Sequence, residues 1–151
     1  MPILVIGADT SIGAQLMQQL SSRDGEVRAF VTDAHVGLAL KETGVKVATG
    51  DVSDASHISA AAAGCFSVVA IGEAAVDSRE RAFASTPSGV LATWSEAIRE
   101  ARPRRVILIQ NPSAPSIEVD APEFLVVSTA DRPLAEVVSE VAEAEDRAVW
   151  D

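Results

Sequence analysis

Six short runs of β-branched and large apolar residues recur along the chain, and all but the fifth are followed by a stretch with helical spacing. This alternation constrains the fold more than any other feature. The runs cover 3–6, 27–32, 45–48, 66–71, 105–109 and 124–127. Most are apolar at successive positions, the pattern of strands covered on both faces. Helical stretches lie between them. Ile12, Leu16 and Leu20 share one face, and that helix stops near Asp24-Gly25. A short helix over 36–42 ends at Gly44, and one over 54–63 opens on an Asp cap and ends at Gly64. Over 87–101, Val90, Leu91, Trp94 and Ile98 fall together; over 133–148, Leu134, Val137, Val138 and Val141 oppose Glu136, Glu140 and Glu143. The pattern predicts an α/β fold, a three-layer αβα sandwich around a mainly parallel, doubly wound sheet of about six strands in a single domain spanning 1–151. One connection is irregular. Residues 110–123 carry Pro112, Pro115 and Pro122, too broken for a crossover helix, so the direction of the sixth strand stays open.

Composition narrows the function classes. Hydrophobic residues make up 48% of the 151 positions and charged residues 23%, as in folded chains rather than disordered ones. The net charge is -10, and residues 117–151 hold ten acids against Arg132 and Arg147. That balance excludes a nucleic-acid backbone as partner, which needs a cationic surface. The basic cluster Arg99, Arg102, Arg104 and Arg105 reads as a solvated helix end running into a strand. One cysteine, Cys65, cannot form an intramolecular disulfide or a thiolate cluster and reads as a small buried residue. His35 and His57 show no metal-ligand spacing and read as surface or cap residues in helix-flanking turns, so no metal is expected. No apolar run reaches the roughly 18 to 20 residues of a membrane span, and residues 2–6 lack the basic flank of a signal peptide. A cytoplasmic protein without membrane attachment is expected.

The most informative stretch is Val5-Ile6-Gly7-Ala8-Asp9-Thr10-Ser11-Ile12-Gly13. A strand runs into glycine, a tight turn follows, and a helix starts with a second glycine against the sheet. Such a turn suits a dinucleotide: the first glycine permits the bend, the last allows close packing, and helix amides face the pyrophosphate. The chain here resembles the short-chain dehydrogenase/reductase superfamily, more closely its extended or atypical, NmrA-like and epimerase-like members. Gly7, Ala8, Ile12 and Gly13 carry the likeness, with 27–31 as second strand, Gly50-Asp51-Val52-Ser53-Asp54, Gly64 before Val68-Val69, and 105–109 as fifth strand. It spans roughly residues 2–111. The resemblance implies a Rossmann-like fold that binds NAD(P). Its pyrophosphate side would be Gly7, Asp9, Thr10, Ser11, Ile12 and Gly13. Its adenosine side would be Thr32, Asp33, Asp51 and Val52, with Asp51 facing the adenine, and Ile71 and Gly72 would line the crevice beyond.

Two departures stand beside the likeness. The middle glycine is replaced by Thr10 or Ser11, and Asp9 sets a carboxylate beside the pyrophosphate position. Either the loop caps itself and holds no nucleotide, or the Thr10 and Ser11 hydroxyls donate to phosphate oxygens. Asp33, 20 residues after Gly13, suits a ribose diol, and Thr32 stands where NADP-preferring members of the superfamily usually carry Arg. NAD(H) is therefore favoured, although Arg28 and Lys41 leave NADP(H) open.

A further departure concerns catalysis. The superfamily's Tyr-x-x-x-Lys pair is absent, because the chain has no tyrosine and its lysines are Lys41 and Lys46. Gln110 and Asn111 occupy the places of its serine. Standard short-chain reductase catalysis is thereby excluded, and no catalytic residue is assigned. Glu73 and Asp77, after the fourth strand, read more readily as a solvated loop than as an acid/base pair. Three functions stay open: a nucleotide-binding sensor or regulator without reductase catalysis, an atypical oxidoreductase of flavin-reductase or epimerase type, and an interaction module. The last would use the acidic C-terminal helix and Trp150 to form a homodimer or bind another partner.

Overall fold

In the computed structural model, which describes residues 2–23, 25–115 and 117–147, the apolar runs become one sheet. The strands are β1 (Ile3–Ile6), β2 (Val27–Val31), β3 (Lys46–Thr49), β4 (Ser67–Ile71), β5 (Arg105–Gln110) and β6 (Glu123–Ser128). All six are parallel, in the order β3-β2-β1-β4-β5-β6. The helices are α1 (Ser11–Leu20), α2 (Ala34–Glu42), α3 (Ala55–Ala62), α4 (Glu73–Val76), α5 (Pro87–Ala101) and α6 (Leu134–Asp146). This is the Rossmann-like αβα sandwich that the alternation implies.

Each strand turns alternate residues to opposite faces, and two clusters follow. One joins Val5, Ala29, Val69 and Ile107 to Leu16 of α1 and Val141 of α6. The other joins Leu4, Phe30, Val68 and Leu108 to Ile58 of α3 and Trp94 of α5. Trp94 is fully buried and donates its indole N–H to the Val52 carbonyl at 2.8 Å, so it ties α5 to the end of β3.

The question left by the prolines is resolved: β6 runs parallel to β5, with Arg105 opposite Glu123. A strand of six residues spans about 20 Å, while the twelve residues 111–122 reach about 40 Å when extended. An irregular return is therefore long enough without a helix. Ile117 packs against the second cluster, and the Ser95 hydroxyl donates to the Glu118 carbonyl at 2.5 Å. The cost appears on β6, where Phe124 and Val126 share the face of Val106 and Leu108 yet stay exposed.

Boundaries shift at the ends. The last helix begins at Leu134 behind Pro133, and Ala148 and Trp150 lie outside the described residues, as does Asp24. His35 falls inside the first turn of α2 rather than in a flanking turn, because Asp33 caps that helix ahead of the expected start at 36, and His57 lies in the first turn of α3, which Asp54 caps as the sequence predicts. The short helix α4 follows β4 directly, where sequence alone suggested a loop. Among the described residues, no helix is long and apolar enough to cross a membrane.

Candidate dinucleotide site

Strand order reverses between β1 and β4, and in open parallel sheets ligands bind in the crevice at that point, beyond the carboxyl ends of the strands. The glycine turn lies there. Gly7 has φ +89°, and a Cβ on it would come within 3.1 Å of Ala74 and 3.2 Å of Ile71. Gly13 is tighter: a Cβ would lie 2.3 Å from the Gly7 carbonyl and 2.7 Å from Ala8. The two glycines thus do the structural work the sequence assigns to them.

Thr10 caps α1. Its hydroxyl donates to the Gly7 carbonyl at 2.7 Å and accepts the Gly13 amide at 3.0 Å. That proton is spent inside the loop rather than directed at the crevice. The amides of Ser11 and Ile12 are the remaining donors of the first turn, and the Ser11 side chain is exposed beside them while that of Ile12 is buried. These two amides stand at the positive end of the α1 dipole even without the middle glycine.

Asp9 does something the sequence did not suggest. Its Oδ2 accepts the amides of Thr32, at 2.8 Å, and Asp33, at 3.2 Å, binding the glycine turn to the end of β2. Its other partner is Arg79, whose Nη1 lies 3.0 Å from Oδ1 and also donates to the Thr32 hydroxyl at 3.1 Å. Arg79 in turn holds Asp77 through Nε and Nη2, both at 2.8 Å. Burial opposes the charge on Asp77, but hydrogen bonds and attraction from Arg79, with Arg81 behind, outweigh it and hold the carboxyl below its ordinary value. The same balance leaves Arg79 more firmly protonated than usual: burial works against its charge, while Asp77 and Asp9 favour it.

The segment continues across the end of β3. The Ala82 amide donates to Asp51 Oδ2 at 2.7 Å, and the Phe83 amide to the Ser53 hydroxyl at 3.0 Å. Asp51 Oδ1 accepts the Ser53 hydroxyl and amide. Burial disfavours its charge, yet Ser53, the Ala82 amide and Arg81 together lower its pKa. Asp33 caps α2 through the amides of His35 and Val36. Val52 is fully buried and faces the core, Ile71 is fully buried beneath the turn, and Gly72 donates its amide to the Ile109 carbonyl at 2.7 Å.

The structure thus brings Asp9, Thr32, Asp33 and Asp51 to one side of the crevice and Gly7 to Gly13 to its centre. Glu73 and Asp77 do not pair: Glu73 is exposed on α4, whereas Asp77 is bound to Arg79 and Arg81. Cys65 is buried, and its burial pushes the thiol pKa up, which suits a packing role. Arg79, Arg81 and Ser53 escaped the sequence reading. The alternating charges of Asp77-Ser78-Arg79-Glu80-Arg81 were the available signal, but nothing local points to an ion pair with Asp9.

A family model described as NAD(P)H-binding matches residues 7–148. The chain belongs to the NAD(P)H-binding family. Solved structures agree in fold. ChuY, an anaerobillin reductase from Escherichia coli O157:H7, superposes with a TM-score of 0.72 at 16% identity, covering 99% of this chain and 92% of that one. The Citrobacter sp. triphenylmethane reductase complexed with NADP(H) gives 0.61 at 20% identity, and 96% of this chain covers 46% of it. The NADPH-dependent quinone oxidoreductase QOR2 from E. coli, complexed with NADPH, gives 0.61 at 17%, over 95% and 44%. The chain thus spans less than half of the latter two. No curated protein matches it in sequence. These solved structures share its Rossmann-like fold.

Proposed function

We propose that this chain binds a nicotinamide dinucleotide along Gly7 to Gly13, prefers NAD(H), and serves as an oxidoreductase that works by positioning rather than by a side-chain acid. The observation that carries this is the retained turn, in which Gly13 leaves no room for a Cβ against Gly7 and α1 starts at Ser11 directly behind the bend. The residues present fit the pyrophosphate. When bound, the nicotinamide supplies or accepts the hydride.

The preference for NAD(H) follows from charge. The groove beside the end of β2 is lined on the crevice side by Asp9 and Asp33, and from the segment after α4 by Asp77, Arg79 and Glu80. A ribose diol can donate to such carboxylates, whereas a 2′-phosphate would be repelled. Asp9 also already accepts the Thr32 and Asp33 amides that could otherwise serve a phosphate.

A chain without tyrosine suits acceptors that need little proton donation from the protein, such as flavins, quinones or conjugated chromophores. The reductase and quinone oxidoreductase neighbours support this class. A cytoplasmic setting, where the dinucleotide pool and a reduced Cys65 are both at home, belongs to the same reading. A sensor role is the second reading, favoured by the segment 77–83 that lies over the adenosine side.

The test is thermal unfolding with millimolar NAD+, NADH, NADP+ and NADPH in turn. A ligand at about 100 times its Kd adds about 2.7 kcal/mol, a rise of several degrees for a domain of this size. A rise with the NAD pair, followed by NADH oxidation that depends on added flavin or quinone, establishes the enzyme. A rise without turnover favours the sensor, and no rise with any dinucleotide removes both.

A further inference from the structure

We propose that residues 77–83 form an intramolecular strap closing the adenosine side of the crevice, so that a dinucleotide enters only by displacing it. This rests on the dinucleotide reading above and adds a regulatory step to that site. Both ends of the strap grip residues that the dinucleotide would use. At one end, Arg79 binds Asp9 and the Thr32 hydroxyl. At the other, Asp51 and Ser53 accept the Ala82 and Phe83 amides. Asp9, Thr32 and Asp51 are three of the positions at which the resemblance places the adenosine and pyrophosphate. In this structure their polar groups are met by the chain itself.

The strap is built to open. Ser78, Glu80 and Phe83 are exposed, and Phe83 retains 69% of its surface. Little apolar area holds the segment down, and its anchors are hydrogen bonds and ion pairs. Segments of that kind open locally without unfolding the domain. Its hinge side is also self-sufficient: Arg81 donates to the Ala74 and Asp77 carbonyls and to the Asp77 carboxylate, so Asp77 stays fixed to the end of α4 when Arg79 lets go.

Two variants loosen opposite ends. Ala82→Pro deletes the amide that binds Asp51 and changes no residue of the crevice. Asp9→Asn weakens the Arg79 contact while keeping a side-chain oxygen for the Thr32 and Asp33 amides. NAD+ affinity is measured by calorimetry for the wild-type chain and both variants. Amide hydrogen exchange at Phe83 is followed in the wild type with and without NAD+. The strap predicts about five-fold tighter NAD+ binding in each variant, roughly the worth of one hydrogen bond, and faster exchange at Phe83 when NAD+ saturates the wild type. Wild-type binding with slower or unchanged exchange at Phe83, or with no gain in Ala82→Pro, overturns the strap but leaves the dinucleotide reading intact. Binding by the variants alone upholds both. Failure of all three folded proteins to bind NAD+ overturns the dinucleotide reading, and the strap as its gate falls with it.

Discussion

Arg79 Nη1 lies 3.0 Å from Asp9 Oδ1, and this pair links the glycine turn after β1 to the segment after α4 across 70 residues of sequence. Asp9 simultaneously accepts the two amides at the end of β2. A residue that looked like an obstacle to pyrophosphate is thus the junction of three segments around the crevice. Its charge is compensated by Arg79, whose side chain is only 9% exposed.

Gly13→Ala should be among the most damaging small substitutions in the chain. The added methyl would sit 2.3 Å from the Gly7 carbonyl, and backbone on both sides must move. Overpacking of this kind costs about 1–3 kcal/mol, which thermal unfolding would register as a fall of several degrees. Ser11→Ala, exposed at the same helix end, should leave the midpoint nearly unchanged while weakening dinucleotide binding.

Acid should weaken the strap before it unfolds the domain. Asp77 and Asp51 both have lowered pKa values in the folded chain, because their hydrogen bonds and nearby arginines outweigh burial. A depressed carboxylate contributes stability that is complete above its unfolded value, near 3.9, and is lost as pH falls through the folded value. Midpoints of the wild type and Asp77→Asn should therefore differ at pH 7 and converge as pH drops below about 4. A constant difference down to pH 3 would show that the Asp77 charge contributes nothing.

Much of this architecture could be read from residue types, and the reason is physical. Fully buried parallel strands must be apolar on both faces, so Ile3–Ile6, Ser67–Ile71 and Arg105–Gln110 announce themselves, and Gly7 and Gly13 mark the turn. The direction of β6 was not legible, because an extended proline-bearing return leaves no periodic signature. The adenosine side was legible only as Thr32, Asp33, Asp51 and Val52, without their partners. What binds Asp9 and Asp51 depends on how 77–83 folds back, and no local pattern encodes an ion pair 70 residues away.

Arg105 supports the opposite end of the sheet. It is 1% exposed, lies 3.3 Å from Glu123, stacks over Phe66, and donates to the carbonyls of Ala144 and Arg147 at the end of α6. A guanidinium at a helix C-terminus meets the negative end of the dipole. Arg105→Met should cost about 3–5 kcal/mol, since it leaves Glu123 buried without this partner. Adding Glu123→Gln should restore part of the loss, a coupling that urea unfolding of the two single variants and the double variant would reveal.

Glu145 offers the opposite sign. It is buried beside the end of α6, where its Oε1 accepts the Ser67 hydroxyl at 2.6 Å. Burial raises its pKa, and the Ser67 hydrogen bond with attraction from Arg105 and Arg23 offsets only part of that. An acid whose folded pKa lies above its unfolded one favours the folded state while protonated. Stability is therefore lost as pH rises from the unfolded value, about 4.3, through the folded value, and the deficit persists above it. Glu145→Gln keeps an oxygen for Ser67 and removes the buried charge. Its midpoint should exceed that of the wild type at pH 8, and the advantage should vanish below pH 4. A variant less stable than the wild type at pH 8 would mean that the carboxylate is held by its arginines as an ion pair.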